Sequence, residues 1–235
     1  MNAQGFEGER LALGFAHLME ELWAADSEQS TLLSVVKAAA ASVPGAVAAG
    51  VSMRRARGRI DTAAATARFV TEVDKAQYEL REGPCVASVD DSLVNLANDL
   101  ANDPHWPRFG PAAVSLGVAA MLSFRLSARS EVIGSLNLYA NRPFAFTGQS
   151  RAVGGIFAAH ASVAIAAARR AETLTEALKT RTEISEAVGI VMERHHLTSQ
   201  EAFEVLRRIS QHRNVKLREV AHRIIYTGEV PRERD

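Results

Sequence analysis

The chain has 235 residues and a mass of 25.4 kDa, enough for a domain of about 150 residues and a smaller module. Its 27 Lys and Arg balance 27 Asp and Glu, which excludes a uniformly basic polyanion-binding protein; any nucleic-acid contact must be local. The single cysteine, Cys85, excludes an intramolecular disulfide and a cysteine-based zinc or iron–sulfur site within one chain. The N-terminus lacks a signal-peptide core and no uncharged apolar run reaches about 18 residues, so we expect a cytoplasmic protein with no membrane partner.

Two helical patterns open the chain. Residues 7–24 repeat apolar side chains every three or four positions, which predicts a short amphipathic helix. Residues 30–42 predict a second helix, capped by Ser30 or Thr31 and ended by Pro44-Gly45.

Strand patterns come in two pairs. The runs 46–53 and 59–66 flank a basic, glycine-containing turn, and the runs 118–128 and 131–140 flank Arg129-Ser130, so each pair predicts a hairpin. Residues 68–80 between the pairs predict a helix. From the turn signal at Glu82-Gly83-Pro84-Cys85 to about residue 110 the sequence lacks clear periodicity, and we predict the longest loop there.

A long helix is predicted from Ser150 to about His195, a stretch without proline. Small or apolar residues follow an alternating four-three spacing typical of a coiled coil: Val153, Phe157, His160, Ala164, Ala167, Ala171, Leu174 and Leu178. A helix of about 45 residues would span roughly 65–70 Å, more than a domain of this size can bury, so we predict a parallel dimer. The alternative is two ordinary helices, broken near Gly154-Gly155 or at residues 179–183.

The C-terminal part reads as a small three-helix bundle completed by the end of the long helix. Thr198 and Glu201 fit a capping box, which predicts a helix from there to about Gln211, and a further helix begins near Lys216. The residues expected to point inward are Ala202, Phe203, Val205, Leu206, Ile209, Leu217, Val220, Ala221, Ile224 and Ile225.

The sequence offers no catalytic constellation. The glycine-rich phosphate, serine-hydrolase and zinc-protease motifs are absent, and the adjacent His195 and His196 point in different directions on a helix end. His105 beside Trp106 indicates a packed loop rather than a pocket, and Cys85 has no neighbouring cation in sequence to activate its thiol. We therefore expect no enzyme activity, no metal and no cofactor.

The C-terminal module is locally basic. Residues 178–228 contain nine Lys and Arg against six Asp and Glu, and the run Arg207–Arg223 contains six bases and one acid. Such a face beside a turn with Ser and Asn suits phosphates and unstacked RNA bases, although a solvated helical face has a similar composition.

Specific motifs in this module resemble a known family. Residues 178–226 and the alanine before them are similar to the ANTAR domain, a three-helix RNA-binding module of bacterial antitermination regulators. The matching positions are Ala177, Leu178, Arg181, Ile184, Ala187, Gly189, Ile190, Met192, Ala202, Phe203, Leu206, Arg207, Ser210, Asn214, Lys216, Leu217, Val220 and Ala221. Upstream, the segments YELREGPC (78–85), WPRF (106–109), GVAAMLSFRL (117–126) and GSLNLYA (134–140) resemble the GAF domain that precedes ANTAR in many actinobacterial regulators.

The resemblance implies an α+β protein: a GAF-like antiparallel sheet with flanking helices, a long coiled-coil helix and an ANTAR bundle. The expected boundaries are an N-terminal helix at 1–27, the GAF sensory domain at 28–172, the ANTAR domain at 173–228 and a tail at 229–235. ANTAR dimers bind paired stem-loops in a leader transcript and thereby oppose a terminator hairpin. The resemblance therefore implies a signal-responsive antitermination regulator in which the GAF domain controls RNA binding.

The resemblance also selects site residues. The candidates for RNA contact are Arg181, Ala187, Gly189, Arg194, Ser210, Asn214, Lys216 and Arg218. Arg and Lys would reach phosphates, Ser210 and Asn214 would bond base edges, and the small residues would let a base approach the backbone or only permit close helix packing. The candidates for lining a small-molecule pocket in the GAF domain are Tyr78, Cys85, Trp106, Phe124 and Tyr139, for which aromatic core packing is the competing role.

One position departs from the family pattern. The family usually has lysine between the alanine and the glycine of its first helix, and here the residue is Val188. Loss of that lysine removes a charge-assisted phosphate contact or extends an apolar surface. The alternative function is therefore a sensory and dimerising protein whose C-terminal bundle binds a protein partner instead of RNA.

Overall fold

The computed structural model describes residues 24–90 and 92–230, together with Ala16, Glu20 and Glu21. The helix predicted over 7–24 lies almost entirely outside these residues, as do positions 231–235 of the predicted tail. The chain divides into two compact units, Met1–Arg169 and Arg170–Asp235.

The described residues form five strands and seven α-helices, which confirms the predicted α+β class. The elements of the first unit are α1 Glu28–Ser42, β1 Ala48–Arg54, β2 Ile60–Ala65, α2 Arg68–Leu80, α3 Pro84–Asp90, β3 Val94–Ala97, α4 Phe109–Ser115, β4 Ala120–Ala128 and β5 Glu131–Ala140. They are followed by α5 Gly148–His195, α6 Ser199–His212 and α7 Leu217–Thr227.

The five strands form one antiparallel sheet in the order β2-β1-β5-β4-β3. Both predicted hairpins are confirmed, because β1 pairs with β2 and β4 pairs with β5. The two hairpins join through β1 and β5, where Val51 lies opposite Leu136.

Helices cover the sheet on both faces. On one face, buried side chains such as Leu122 and Leu136 pack with α1 and with Phe157 of α5. On the other face, Met121 and Tyr139 pack with α2 and α4 through Val73 and Phe109. Because neighbouring residues of a strand face opposite sides, β4 and β5 contribute to both cores.

Two local predictions were wrong in part. The first described helix begins at Glu28, and its cap is Ser27, whose side chain and that of Ser30 exchange hydrogen bonds with each other's backbone N–H. The region predicted as a loop from Glu82 to about residue 110 contains α3 and β3, but its remaining part, residues 98–108, is the longest stretch without helix or strand among the described residues. Pro84 is the first residue of α3, a position that proline favours because the first turn leaves N–H groups without helical partners; it therefore starts a helix here.

The long helix is confirmed as α5, a single helix of 48 residues, so the alternative of two broken helices is wrong. Gly154 does not interrupt it. A Cβ at this position would lie 2.5 Å from a ring atom of Phe124, so the glycine allows α5 to pack closely on the sheet.

The second unit is a helical bundle, as predicted. The Thr198 side chain accepts a hydrogen bond from the Glu201 N–H, and Glu201 accepts one from the Thr198 N–H, so the predicted capping box is confirmed. The buried core consists of Ala187, Val188, Val191, Ala202, Leu206, Ile209, Val220, Ala221 and Ile224. The inward placement of Phe203 was wrong, because its side chain remains 38% exposed beside a groove described below.

Replacing Ile165 by Ala should reduce the free energy of unfolding by about 2–5 kcal/mol, because this α5 side chain is fully buried against the sheet. The matched control is Val163→Ala on the same helix, where a side chain 70% exposed predicts a change within about 0.5 kcal/mol. Chemical denaturation of the two variants measures the difference. Equal losses of stability in the two variants would contradict the placement of Ile165 on the buried side of α5 and of Val163 on its exposed side.

Candidate RNA interface and sensory face

The candidate RNA residues on the second unit centre on the turn between α6 and α7. The Ser210 hydroxyl donates to the Val215 carbonyl over 2.7 Å and so closes this turn. Asn214 has a φ of 50°, a left-handed conformation that Asn tolerates better than most residues. Lys216 is exposed at the start of α7. The turn therefore presents an amide and an ammonium group to solvent on a fixed backbone.

Arg218 and Arg181 extend this surface toward α5. The Arg218 guanidinium donates to the Glu176 carboxylate over 3.2 Å, and both side chains are about half exposed, at 45% and 60%. Glu176 and Arg181 line the same groove of α5. The pair is too exposed to add much stability, but it orients Arg218.

Arg194 lies apart from this group. A Cβ at Gly228, just after the end of α7, would lie 3.4 Å from an Arg194 Nη atom. Arg194 is thus at the C-terminal end of α7, whereas Lys216 and Arg218 are at its N-terminal end. The structure therefore brings Arg181, Ser210, Asn214, Lys216 and Arg218 toward one end of the bundle and leaves Arg194 at the other.

Of the three successive residues Ala187, Val188 and Gly189, the first two belong to the bundle core and the third is exposed. Ala187 is fully buried in the bundle core, so its side chain serves packing. Val188 is 7% exposed and also belongs to this core, while Gly189 lines the groove and a Cβ there would meet no atom within 4 Å. Of the two small residues, only Gly189 leaves room for an approaching group.

The sequence did not predict an apolar groove of about 1020 Å³ along α5 and the start of α6. Its lining includes Ala177, Ile184, Met192 and Phe203, with Arg181 among the polar members. Helical spacing puts the α5 residues on one side of that helix. The sequence does contain a signal for this groove. The four-three spacing continues past Leu178 through Arg181, Ser185, Val188 and Met192, and all four residues line the groove.

The first unit carries a buried polar cluster, here called the sensory face, on the side of the sheet that faces α2 and α3. The Ser52 hydroxyl oxygen accepts hydrogen bonds from the Tyr78 hydroxyl over 2.7 Å and from the Asn137 amide over 2.9 Å. The Cys85 thiol donates to the same oxygen over 3.2 Å. Ser52 therefore joins β1, β5, α2 and α3 at one point.

Asp74 is the charged member of the sensory face and is fully buried. Its carboxylate accepts hydrogen bonds from the hydroxyls of Tyr139 and Thr62 and from the Gln77 amide. Burial raises the pKa of Asp74 from 3.8 to about 6, and these donors hold it lower than burial alone would.

The cysteine on this face is protected. Burial, followed by the negative charge of Asp74, raises the pKa of the Cys85 thiol to about 12, while hydrogen bonds from neighbours oppose the rise. The same two causes raise the pKa of Tyr78 and Tyr139. Cys85 is thus a neutral hydrogen-bonding group, in agreement with its interpretation as an unactivated, buried residue.

The five residues predicted to line a ligand pocket do not lie together. Tyr78, Cys85 and Tyr139 belong to the sensory face. Trp106 is half-buried and packs against the apolar cluster of α2 and α4. Phe124 was misplaced in this set, because its side chain points to the opposite face of the sheet and contacts α5 at Gly154.

The sequence interpretation missed the polar groups that connect the sensory face, namely Ser52, Asp74 and Asn137. Three further buried atoms make no hydrogen bond to the described residues: Ser123 Oγ, Arg125 Nη2 and Asn137 Oδ1. Strand register places Ser123 opposite Asn137 on adjacent strands. A signal was present, since polar residues alternate with apolar ones along β4 and β5, but that pattern is also typical of a solvent-exposed face.

A second polar contact joins two of the segments that resemble the GAF domain, residues 78–85 and residues 106–109. The Glu82 carboxylate accepts hydrogen bonds from the backbone N–H groups of Arg108 and Phe109 over 2.8 and 2.9 Å and from Arg108 Nε over 3.1 Å. Arg108 also donates to the Leu80 carbonyl. Burial opposes ionisation of Glu82, but these donors outweigh it and lower its pKa. This clamp fixes the end of α2 against the start of α4.

The described residues thus form a sheet domain that encloses a polar cluster and a helical bundle that presents basic side chains. Comparison with known families identifies both parts. The GAF domain family matches residues 25–166, and the ANTAR domain family matches residues 172–225. The chain belongs to the GAF domain family, and its GAF domain is followed by an ANTAR domain. GAF domains sense signals, ANTAR domains are RNA-binding antitermination modules, and both are regulatory domains.

No curated protein matches the chain. Among solved structures, the GAF domain of a phosphoenolpyruvate-protein phosphotransferase from Coxiella burnetii is 17% identical, with a TM-score of 0.56 over 69% of this chain and 96% of that one. The corresponding Acinetobacter domain is 13% identical, with a TM-score of 0.55 over 70% and 98%. A Stigmatella aurantiaca phytochrome photosensory core module is 11% identical, with a TM-score of 0.60 over 88% of this chain and 45% of that one. These similarities establish the fold alone.

Within residues 24–90 and 92–230, no group of three His, Cys, Asp or Glu side chains is placed to hold a metal ion. Helix α5 is long and apolar enough to cross a membrane by length and composition, a test that core helices of soluble proteins also pass, and 39% of its most apolar window is buried within the protein.

Replacing Asp74 by Asn should change how stability depends on pH. Because the pKa is raised on folding from 3.8 to about 6, the folded protein holds a proton that the unfolded chain has lost between these values. This favourable contribution is therefore present below about pH 4 and is lost as the pH rises through 6, a change on the order of 3 kcal/mol. Denaturation at a series of pH values should show wild type losing stability relative to Asp74→Asn over this range.

The control is Glu72→Gln on the same helix, whose carboxylate is exposed and paired with Arg68. It should follow the wild-type pH dependence. Parallel curves for wild type and Asp74→Asn would contradict the buried, proton-binding role of Asp74.

Proposed function

We propose that this protein is an antitermination regulator whose dimer binds paired stem-loops in leader transcripts through its ANTAR domain, under control of its GAF domain. The observation that carries the proposal is the set of hydrogen-bond donors around the α6–α7 turn, within the segment that matches the ANTAR family. We propose domain boundaries of 1–27 for an N-terminal helix, 28–172 for GAF, 173–228 for ANTAR and 229–235 for a tail, a cytoplasmic location, and an actinobacterial type of regulator.

Charge and exposure favour a phosphate-binding role for part of this surface. Lys216 and Arg223 have no ion-pair partner among the described residues, and Arg181 is exposed at the groove. Arg207 is held by Glu204 over 2.6 Å and Arg218 by Glu176 over 3.2 Å. An RNA phosphate can replace an exposed carboxylate partner because the pair it displaces is weak.

The remaining candidates have roles of a different kind. Asn214 would read a base edge in an RNA loop, and Ser210 would hold the turn that positions it. Gly189 would admit an unstacked base, while Ala187 would act only through packing. Arg194 would contact a separate part of the RNA.

For the GAF domain we propose that a small polar ligand binds at the sensory face. The atoms Ser123 Oγ, Arg125 Nη2 and Asn137 Oδ1 are buried and make no hydrogen bond to any residue that the structure describes, and buried polar groups normally find a partner. Tyr78, Cys85 and Tyr139 belong to the same side of the sheet and would border the ligand, while Trp106, which packs on the adjacent apolar cluster, would act only through packing.

Dimerisation is proposed to use the part of the coiled-coil spacing of α5 from Ala171 onward, because Val153 and Phe157, which begin that spacing, are buried in the core of the sheet domain. Leu174 and Leu178 belong to that spacing, and their side chains are 60% and 56% exposed. Contact of these apolar side chains with water is unfavourable, and pairing with a second copy of the helix would bury them. A ligand at the sensory face would regulate RNA binding only by binding more tightly to one arrangement of the paired helices than to the other.

The second candidate function is a sensory protein whose bundle binds a protein partner. The apolar groove favours it, since Val188 occupies the position where the family usually has lysine and lines this groove. We rank it below RNA binding because the same bundle presents exposed cations at the α6–α7 turn and at Arg181. Such cations suit RNA phosphates. A partner captured independently of nuclease treatment and moderate salt would reverse the ranking.

The test of RNA binding begins with crosslinking in native cells and recovery of the bound transcripts. A recovered two-stem-loop RNA should bind the purified protein with an affinity that falls as salt rises. The variant R181Q/K216Q/R218Q should lower that affinity by roughly tenfold or more. It should also reduce the slope of log affinity against log salt by an amount that corresponds to about two to three phosphate contacts. Wild-type affinity in this variant would contradict the proposed interface.

The matched control is K37Q/R68Q/K75Q, which removes the same charge from exposed positions on α1 and α2. It should bind RNA as wild type does. If both variants lose affinity equally, net charge rather than the ANTAR surface determines binding.

The dimer is tested by L174K/L178K, which places two charges on the seam of α5. Sedimentation should show the variant as a monomer at concentrations where wild type is a dimer, because paired helices would have to bury these ammonium groups. The control E172Q/E186Q raises the net charge by the same amount at exposed positions on another side of the helix and should remain dimeric. A wild-type monomer would overturn the proposed seam.

A further inference from the structure

A cluster of arginines occupies the turn between β1 and β2 on the GAF domain. Arg54, Arg55, Arg57 and Arg59 fall within six residues. Arg55 donates to Asp61 over 2.8 Å and stabilises the turn. The other three side chains are exposed and have no ion-pair partner among the described residues.

The second hairpin turn brings a further cation to the same end of the sheet. Because β1 and β5 are antiparallel and Met53 pairs with Gly134, the β4–β5 turn with Arg129 lies at the end where β1 runs into its own turn. Arg129 is exposed. We call the set Arg54, Arg57, Arg59 and Arg129 the arginine edge; Asp61 and Glu131 are the acidic residues in these two turns, and Asp61 is already paired.

Two of these arginines have a backbone conformation that Gly or Asn adopts more easily. Arg57 has a φ of 62° and Arg129 a φ of 52°, both in the left-handed region that favours Gly or Asn. A side chain with a Cβ is disfavoured there, although the hairpin turns themselves require this conformation, which Ser130 beside Arg129 and Gly58 beside Arg57 share. Gly58, next to Arg57, has room for a Cβ on every side, so the turn is not sterically crowded.

We propose that the arginine edge is a second RNA-binding surface, which holds the phosphate backbone of the transcript bound by the ANTAR domain. This inference rests on the proposed function. Guanidinium groups bind phosphate through paired hydrogen bonds, and a row of exposed arginines suits a polyanion better than a single small anion. The β1–β2 turn contains Ala56 and Gly58 but no aromatic residue, so it would contact phosphates without reading bases.

The composition of the edge favours RNA over an anionic membrane. A membrane-binding surface combines cations with large apolar side chains that enter the lipid, and Ala56 is the apolar side chain among residues 54–59. Electrostatic attraction alone could still act on lipid headgroups, so vesicles belong in the test.

The experiment uses the full-length protein, the recovered two-stem-loop RNA and salt concentrations from about 50 to 200 mM. The variant R54Q/R57Q/R59Q should reduce the slope of log affinity against log salt by roughly two to three and raise Kd about tenfold, because up to three phosphate contacts are lost. The control K37Q/R68Q/K75Q should leave both quantities unchanged. Phosphatidylserine vesicles are measured in parallel with each protein.

The outcomes separate this inference from the proposed function. If wild type binds no RNA, the proposed function fails and this inference fails with it. If R181Q/K216Q/R218Q loses affinity while R54Q/R57Q/R59Q keeps the wild-type slope, only the second surface is overturned. A variant that loses binding to vesicles but keeps its binding to RNA would assign the arginine edge to a membrane and would also overturn the inference.

Arg57→Asn distinguishes a functional arginine from a structural one. Asn accepts the left-handed conformation, so its melting temperature should equal or exceed that of wild type, while the salt slope of RNA binding should fall by roughly one. Unchanged RNA binding in this stable variant would exclude Arg57 from the surface.

Discussion

Each side chain of a strand must face one side of its sheet or the other, and this constraint in β4 and β5 separates the apolar core of the GAF domain from its buried polar cluster. Leu122 and Leu136 face α1 and α5 and form the apolar core, while Ser123 and Asn137 face α2 and α3 and form part of the sensory face. A register slip of one residue in either strand would exchange the two sets. The stability of the domain and the chemistry of its polar face therefore depend on the same strand pairing.

The buried polar side chains of the sensory face are connected to one another by hydrogen bonds, which accounts for their burial. Ser52, Asp74 and Tyr139 come from β1, α2 and β5, and hydrogen bonds link each of them to a neighbouring element. An apolar core of equal volume would tolerate small shifts between these elements, whereas a hydrogen-bonded cluster requires them to keep their distances. On the polar side of the sheet, displacing a helix would therefore break specific hydrogen bonds and lose their energy.

Periodicity alone predicted most of the fold. The two hairpins, α2, the long helix and the capping box of α6 each extend over enough residues for a repeat to be visible. The elements that were missed, α3 and β3, are short, and Pro84 reads both as a turn residue and as the first residue of a helix. The family resemblance then indicated the two regulatory domains, which no catalytic or metal motif could have done.

The candidate sites were harder to predict because they depend on which face a residue occupies. Phe124 and Tyr139 carry similar rings on neighbouring strands, yet they lie on opposite sides of the sheet. Asp74 sits in an amphipathic helix where a carboxylate is ordinarily exposed, and only the contacts from Tyr139 and Thr62 reveal its burial. The Arg218–Glu176 pair joins residues 42 positions apart, a separation that no local pattern reports.

Residues 171–179 of α5 are exposed at every position, so this stretch has no core of its own. Its helical conformation depends on propensity, on continuity with the turns either side and on any chain that pairs with it. For related sequences, this has a consequence for permitted length changes. Insertions or deletions here should occur in multiples of seven residues, because only whole heptads keep Leu174 and Leu178 in phase with the seam on both sides.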